Sequence, residues 1–309
     1  MNDTHPSLLD FWQPRFWPLW LGLGMLRLIC YLPWRAQCAL GRALGRLAGR
    51  VLASRRHIAA VNLRLCFPEL DAAARDVLLT RHFESLGLQA IEFGLGWWAS
   101  DTTIRRLMHF SGKENLDAAM ANGRGTIFLS GHFSPVEFAG RCLKLEGVEL
   151  AGLYRPNRNP LVNELLRRAR LRSAVDVIPK DSMRQMVRTL ARGVSVWYAP
   201  DQSYRRRYSM LLPFFGEPAM TNCALTEIAR IGKARVVPFY ARRLPDDAGY
   251  EVIIEPAFED FPSGDMAADA QRFTNWLEER IRRAPEQYFW IHRRFKGRPA
   301  PLPDPYREG

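Results

Sequence analysis

The residues Thr126-Ile-Phe-Leu-Ser-Gly-His132-Phe-Ser-Pro-Val-Glu137 decide how this chain is read. Ile127-Phe128-Leu129 is an unbroken apolar run, the pattern of a strand covered on both faces. Ser130-Gly131 ends it and delivers a histidine, a helix start and a glutamate. Imidazole is suited to moving a proton near neutral pH. A carboxylate on its other ring nitrogen fixes the tautomer and steadies the imidazolium that forms. No serine or cysteine stands in a strand-to-helix elbow here, so the nucleophile would come from the substrate. A hydroxyl deprotonated by His132 and attacking an activated acyl group fits that pattern. A second reading fits the same residues: Ser134 as N-cap, Pro135 in the first turn and Glu137 reaching back as a capping box. His-x4-Glu alone leaves both readings open.

Outward from this stretch, short β-rich runs alternate with amphipathic segments. The spacing predicts strands at 126–130, 149–153, 175–178, 194–199, 235–240 and 250–254. Helices are predicted at 135–145, 160–170, 181–192 and 221–231. Such alternation predicts an α/β fold with a mixed sheet flanked by helices, and ligands collecting beyond the strand C-termini, where His132 is placed. Residues 36–110 read as mainly helical, and 120–296 as the α/β core of one domain over 36–309. Gly41, Gly45 and Gly49, spaced by four, read as close helix packing.

Ahead of these lies an apolar stretch between Arg15 and Arg35, with tryptophans at both ends and Arg27 as its one charge. That is close to the span a bilayer needs, and residues 1–35 are expected to form a membrane-anchoring helix. A central arginine is costly in lipid, so an interfacial helix is the alternative. Arginines crowd the residues just after it, which places everything after residue 35 in the cytoplasm.

The 309 residues carry a net charge of +12, mostly from arginine, the side chain suited to phosphate and carboxylate. Nucleic acid, an anionic membrane, a phosphorylated lipid and an acidic carrier protein would all suit that charge. The five cysteines form no CxxC pair and the six histidines show no ligand spacing, so neither a disulfide framework nor a metal is expected. Basic and polar residues gather after the predicted strands, at Tyr154-Arg-Pro-Asn157, at Arg170 and Arg172, and at Trp197-Tyr-Ala-Pro-Asp201. Each segment also suits an ordinary turn, a solvated helix face or a cap.

Taken with Asn62-Leu-Arg-Leu-Cys-Phe-Pro-Glu69 and Ala284-Pro-Glu-Gln-Tyr-Phe-Trp-Ile-His-Arg-Arg-Phe-Lys296, these residues resemble the bacterial lipid A late acyltransferases of the Kdo-dependent lauroyltransferase type. The likeness runs from Gln13-Pro-Arg-Phe-Trp to the 284–296 string. It implies a glycerolipid-acyltransferase-like fold, inner-membrane attachment, a cytoplasmic active site, no cofactor and no nucleic acid. It also implies an acyl carrier protein donor and a phosphorylated glucosamine disaccharide acceptor bearing a 3-hydroxyacyl chain. His132 is then the base and Glu137 its orienting partner. Arg155, Arg170 and Arg172 are candidates for acceptor phosphate, with Arg155 an alternative oxyanion donor. Asp201 is expected as a structural or sugar contact, and His292 as a residue shaping the site. The remaining alternatives are a lysophospholipid or other glycolipid acyltransferase, or a non-catalytic binder of anionic lipid.

Overall fold

The computed structural model describes residues 6–307 apart from 122, 181 and 204–206. Helices come first: α1 (Trp17–Ile29), α2 (Trp34–Val51), α3 (Ala53–Cys66), α4 (Ala72–Trp98) and α5 (Asp101–Leu107). There follow β1 (Met108–Ser111), α6 (Lys113–Met120), β2 (Ile127–Leu129), α7 (Val136–Leu145), β3 (Leu150–Tyr154), α8 (Pro160–Arg170) and β4 (Asp176–Pro179). The chain continues through α9 (Met183–Ala191), β5 (Ser195–Tyr198), β6 (Ser209–Phe214), β7 (Glu217–Asn222) and α10 (Ala224–Gly232). It closes with β8 (Val236–Arg243), β9 (Tyr250–Ile254) and α11 (Met266–Arg283).

Seven strands form one mixed sheet in the order β1-β9-β8-β2-β5-β3-β4. From β8 to β4 neighbouring strands pair in parallel, β9 runs against β8, and β1 follows β9. All six predicted strands are found within a few residues of their expected limits. β1 and the β6–β7 hairpin were not anticipated. The three residues of β2 are fully buried, as expected for a strand covered by helices on both faces.

α2 crosses α4 with glycine against glycine. A Cβ at Gly87 would collide with the carbonyl of Gly41 and the backbone of Gly45, and one at Gly45 with the backbone of Phe83. Gly49 lies against the Phe83 ring. The four-residue spacing read from the sequence is therefore a packing device: small residues let the two backbones touch.

The expected anchor differs from what is found. α1 has 13 residues, and no described helix is long and apolar enough to cross a membrane. Pro33 and the turn before α2 end α1 early, and the Arg27 guanidinium lies over the rings of Tyr31 and Trp98 rather than in an apolar run.

Because the α2–α4 contact has no room for a side chain, Gly87→Ala should destabilise the protein by about 1–3 kcal/mol. Chemical denaturation should show a lower midpoint with an unchanged slope. An unaltered midpoint would mean that the helices can part at no cost.

Candidate active site

β2 and β5 are neighbours and both end at the same edge of the sheet. The amide of Ser130 donates to the carbonyl of Tyr198 at 3.0 Å, which fixes the two strand ends side by side. His132 leaves the end of β2, and Ala199-Pro200-Asp201 leaves the end of β5. Asp201, 2 % exposed, turns under the histidine. Its Oδ1 lies 2.5 Å from His132 Nδ1, and its Oδ2 accepts from the His132 backbone N–H at 2.9 Å. The hydroxyl of Tyr288 donates to Oδ2 as well, also at 2.9 Å.

A carboxylate can only accept, so Nδ1 carries the proton and Nε2 keeps its lone pair. Burial pulls the His132 pKa down, but the charge and hydrogen bond of Asp201 outweigh it, and the result is above the ordinary value. Burial likewise acts to raise the Asp201 pKa, and the histidine and its other donors hold it below the usual carboxylate range. Tyr288, buried beside that charge, is pushed well above the usual phenol value and stays a donor. The His132 side chain remains 37 % exposed, so a reactant can reach it.

This departs from the expected pairing. Glu137, in the first turn of α7, is paired neither with His132 nor with a cap. Its Oε1 lies 3.5 Å from Arg170 Nε and, buried, makes no hydrogen bond among the described residues. Burial first, against the pull of Arg170, leaves its pKa above the ordinary carboxylate value. The capping box is absent too: Pro135 is the N-cap, with no side-chain cap bond. The Ser134 hydroxyl instead donates to the carbonyl of Gln287 at 3.1 Å and meets the Ser85 hydroxyl at 2.9 Å. The β2-to-α7 turn thus points Glu137 toward α8, while the end of β5 brings Asp201 to the imidazole.

The 284–296 string is the brace for this arrangement. It runs antiparallel to 132–134, with Phe289 N–H donating to the His132 carbonyl at 3.0 Å and Ser134 N–H to the Gln287 carbonyl at 2.9 Å. Asn62 on α3 holds it from behind, donating to the carbonyls of Trp290 at 2.6 Å and His292 at 2.7 Å. The Tyr306 hydroxyl completes Asn62 at 2.5 Å. His292, driven down to about 3 by burial, is neutral, and its Nε2 accepts from the Ser203 N–H at 3.2 Å. It steadies the loop that carries Asp201.

His132 opens onto a cavity of about 400 Å³ beyond the ends of β2, β5 and β3. Arg155, Arg170 and Lys180 line it, and Leu150, Gly152, Ala174 and Trp197 form its apolar part. Of the arginines expected there, Arg155 and Arg170 are found on the wall. Arg170 donates to the Leu153 carbonyl at 3.0 Å while lying beside Glu137. Arg172 is exposed and off the wall, its carbonyl taken by Lys144 at 2.6 Å, because α8 has ended and the chain turns away. Asp201 lies behind His132 instead of at the wall where a sugar contact would stand. Lys180 was missed, although it follows a strand as the other basic residues do. Tyr288 was visible only as a member of the 284–296 string. No cluster of side chains among the described residues suits a metal ion.

The model of the family described as bacterial lipid A biosynthesis acyltransferase matches residues 7–297. The chain belongs to this family. It is 38 % identical over 295 residues to the lipid A biosynthesis lauroyltransferase of Escherichia coli (strain K12), covering 95 % of this chain and 96 % of that one. The palmitoleoyltransferase of the same organism is 37 % identical over 94 % of this chain and 95 % of its own. Its myristoyltransferase is 26 % identical over 96 % and 93 %. Among solved structures, the 1-acyl-sn-glycerophosphate (LPA) acyltransferase of Thermotoga maritima aligns with a TM-score of 0.36 at 17 % identity, over 83 % of this chain and 98 % of that one. The protein is thus an acyltransferase of lipid A biosynthesis.

If Asp201 sets the tautomer and charge of His132, Asp201→Asn should lower kcat by at least about 10²-fold. The acid limb of its kcat/KM profile should also move to lower pH. The sign follows from the causes above: without the carboxylate charge, burial dominates and His132 releases its proton more easily. Glu137→Gln should leave that limb in place. The reverse outcome, a limb moved by Glu137→Gln alone, would restore the pairing expected from the sequence.

Proposed function

We infer that the protein moves a fatty acyl chain from the thioester of acyl carrier protein to the hydroxyl of a 3-hydroxyacyl chain on Kdo-bearing lipid IVA. The observation that carries this reading is that His132, its Nδ1 held by Asp201, lines a cavity that is cationic at one part and apolar at another. An amphiphile with an anionic head and an acyl tail has that shape. The names of the lauroyl-, palmitoleoyl- and myristoyltransferase relatives support transfer of a long acyl chain.

In the proposed reaction Nε2 takes the proton of the acceptor hydroxyl as its oxygen attacks the thioester carbon. Asp201 balances the imidazolium that forms. The tetrahedral oxyanion then collapses, the C–S bond breaks, and the thiolate takes the proton back from His132. The products are a secondary ester and the free thiol of the carrier. Arg155, Arg170 and Lys180 are the cations along this cavity, and one of them would face the oxyanion while others hold acceptor phosphate. The net positive charge favours an acidic carrier and an anionic bilayer. Glu137 joins Arg170 as a polar pair on the wall rather than as the orienting group. Transfer from acyl carrier protein to lipid IVA, with and without its Kdo sugars, tests the reading by mass spectrometry. Acylation of lysophosphatidic acid but not of lipid IVA would sink it.

Attachment to the inner membrane is proposed as interfacial. On α1, Trp17, Leu21, Met25 and Leu28 recur at helical spacing and are all exposed. On α2, Leu44, Leu47 and Val51 do the same, with exposed Arg35 and Arg50 nearby. Two short amphipathic helices with arginines fit the headgroup boundary of a cytoplasmic leaflet. Combining Leu21→Glu, Leu28→Glu and Leu47→Glu, three exposed positions, should weaken binding to anionic vesicles by at least about tenfold while leaving the melting temperature near that of the unaltered protein. Vesicle binding unchanged in a sedimentation assay would mean that another surface meets the lipid.

A further inference from the structure

We propose that Gly140 and Gly152 set the length of acyl chain that the protein accepts, by keeping the inner part of the cavity open. Both glycines stand where no local cause asks for glycine. Gly140 lies inside α7 and Gly152 inside β3, and neither has a positive φ. Glycine is a poor residue for a helix interior and weakens a strand interior. Nor is there a backbone pressed against them, as there is at Gly45 and Gly87. A Cβ at Gly140 would meet Ser173 Cβ and Trp197 Cζ3 at 3.5 Å, and one at Gly152 would meet only Ala174 Cβ at 4.0 Å, ordinary contacts in both cases.

What the two glycines share is the cavity. Gly152 pairs across the sheet with Trp197, so both sit on its floor, while Gly140 comes down on Trp197 from α7. The cavity wall runs from Arg155, just past the end of β3, to Leu150 at its start. Four residue rises separate Leu150 from Tyr154, so the cavity follows the strand inward for about 13 Å. Glu137 stands one turn before Gly140 on the same face of α7. Its buried Oε1, which faces Arg170 at 3.5 Å but makes no hydrogen bond among the described residues, is a second sign that this space takes a ligand rather than closing on itself. The polar pair of Glu137 and Arg170 on one side and the glycine-floored part on the other suit a thioester head and its hydrocarbon tail.

Overall identity does not choose the chain length. The lauroyl- and palmitoleoyltransferase relatives are 38 % and 37 % identical to this protein. A side chain placed in the path of the tail would choose it, since each buried methylene changes affinity by about fourfold.

This inference rests on the acyl-transfer reading above, and its test separates the two. Octanoyl, decanoyl, lauroyl, myristoyl and palmitoyl carrier donors are offered in turn to the full-length protein with lipid IVA. The same acyl groups as pantetheine thioesters are tested for binding by equilibrium dialysis. For Gly152→Val, kcat/KM for the longest donor accepted by the unaltered protein should fall relative to decanoyl by at least about tenfold, and thioester binding should shift the same way. Gly140→Ala, a smaller intrusion that the contacts above accommodate, should shift both ratios in that direction by about fourfold and serves if the valine variant fails to fold. An unchanged length profile in a folded variant overturns the proposal, as does an equal loss on every donor. A shift in binding without any transfer by the unaltered protein would leave the proposal standing and overturn the catalytic reading instead.

Discussion

The site depends on one buried charge. Asp201 lies under His132 with almost no exposure, and a carboxylate in that position costs several kcal/mol unless donors surround it. Three donors do so, from two parts of the chain: the ring and the backbone N–H of His132, and the hydroxyl of Tyr288. Because the carboxylate needs all three, it locks the end of β2, the end of β5 and the 284–296 segment into one position. The charge that would stabilise the imidazolium is thus also the reason that these segments meet. Removing a donor would leave part of the charge uncompensated, so geometry and electrostatics cannot be altered separately here.

Much of the remaining molecule holds that junction still. Asn62 is fully buried and binds two carbonyls of the 284–296 segment and the Tyr306 hydroxyl. Arg294 is buried on the same segment and donates to the carbonyl of Met220 and the hydroxyl of Thr221 on β7. The Asn62–Glu69 and 284–296 strings on which the resemblance was read therefore serve as scaffold, and neither lines the main cavity. Specificity of sequence and closeness to the chemistry are different properties. A hydrogen-bonded brace constrains residue identity as tightly as a reaction does, because each unpaired buried group would cost about 1–3 kcal/mol.

Glu137 shows how a local pattern can mislead. Both readings of His-x4-Glu paired the glutamate within its own turn, with the histidine or with the cap. The turn at Ser134-Pro135 does neither. Ser134 is bound by Gln287 and Ser85, so the helix begins one residue later and its first turn faces Arg170. The partner of His132 came from 69 residues further on, because parallel strands place their C-terminal ends together whatever lies between them.

By itself the sequence determined six of the seven strands of the main sheet and the four helices between them, the placement of His132 at a strand end, close helix packing at Gly41, Gly45 and Gly49, and the family. These depend on local periodicity, on small residues at helical spacing and on long particular strings, all readable in one dimension. Only the tertiary structure decided which carboxylate meets the imidazole, that Arg155, Arg170 and Lys180 face the cavity while Arg172 does not, and that Gly140 and Gly152 border open space. It also decided that α1 ends too early to span a bilayer. In each of these cases the deciding quantity is a distance between segments far apart in the chain, set by strand order and by where a helix stops.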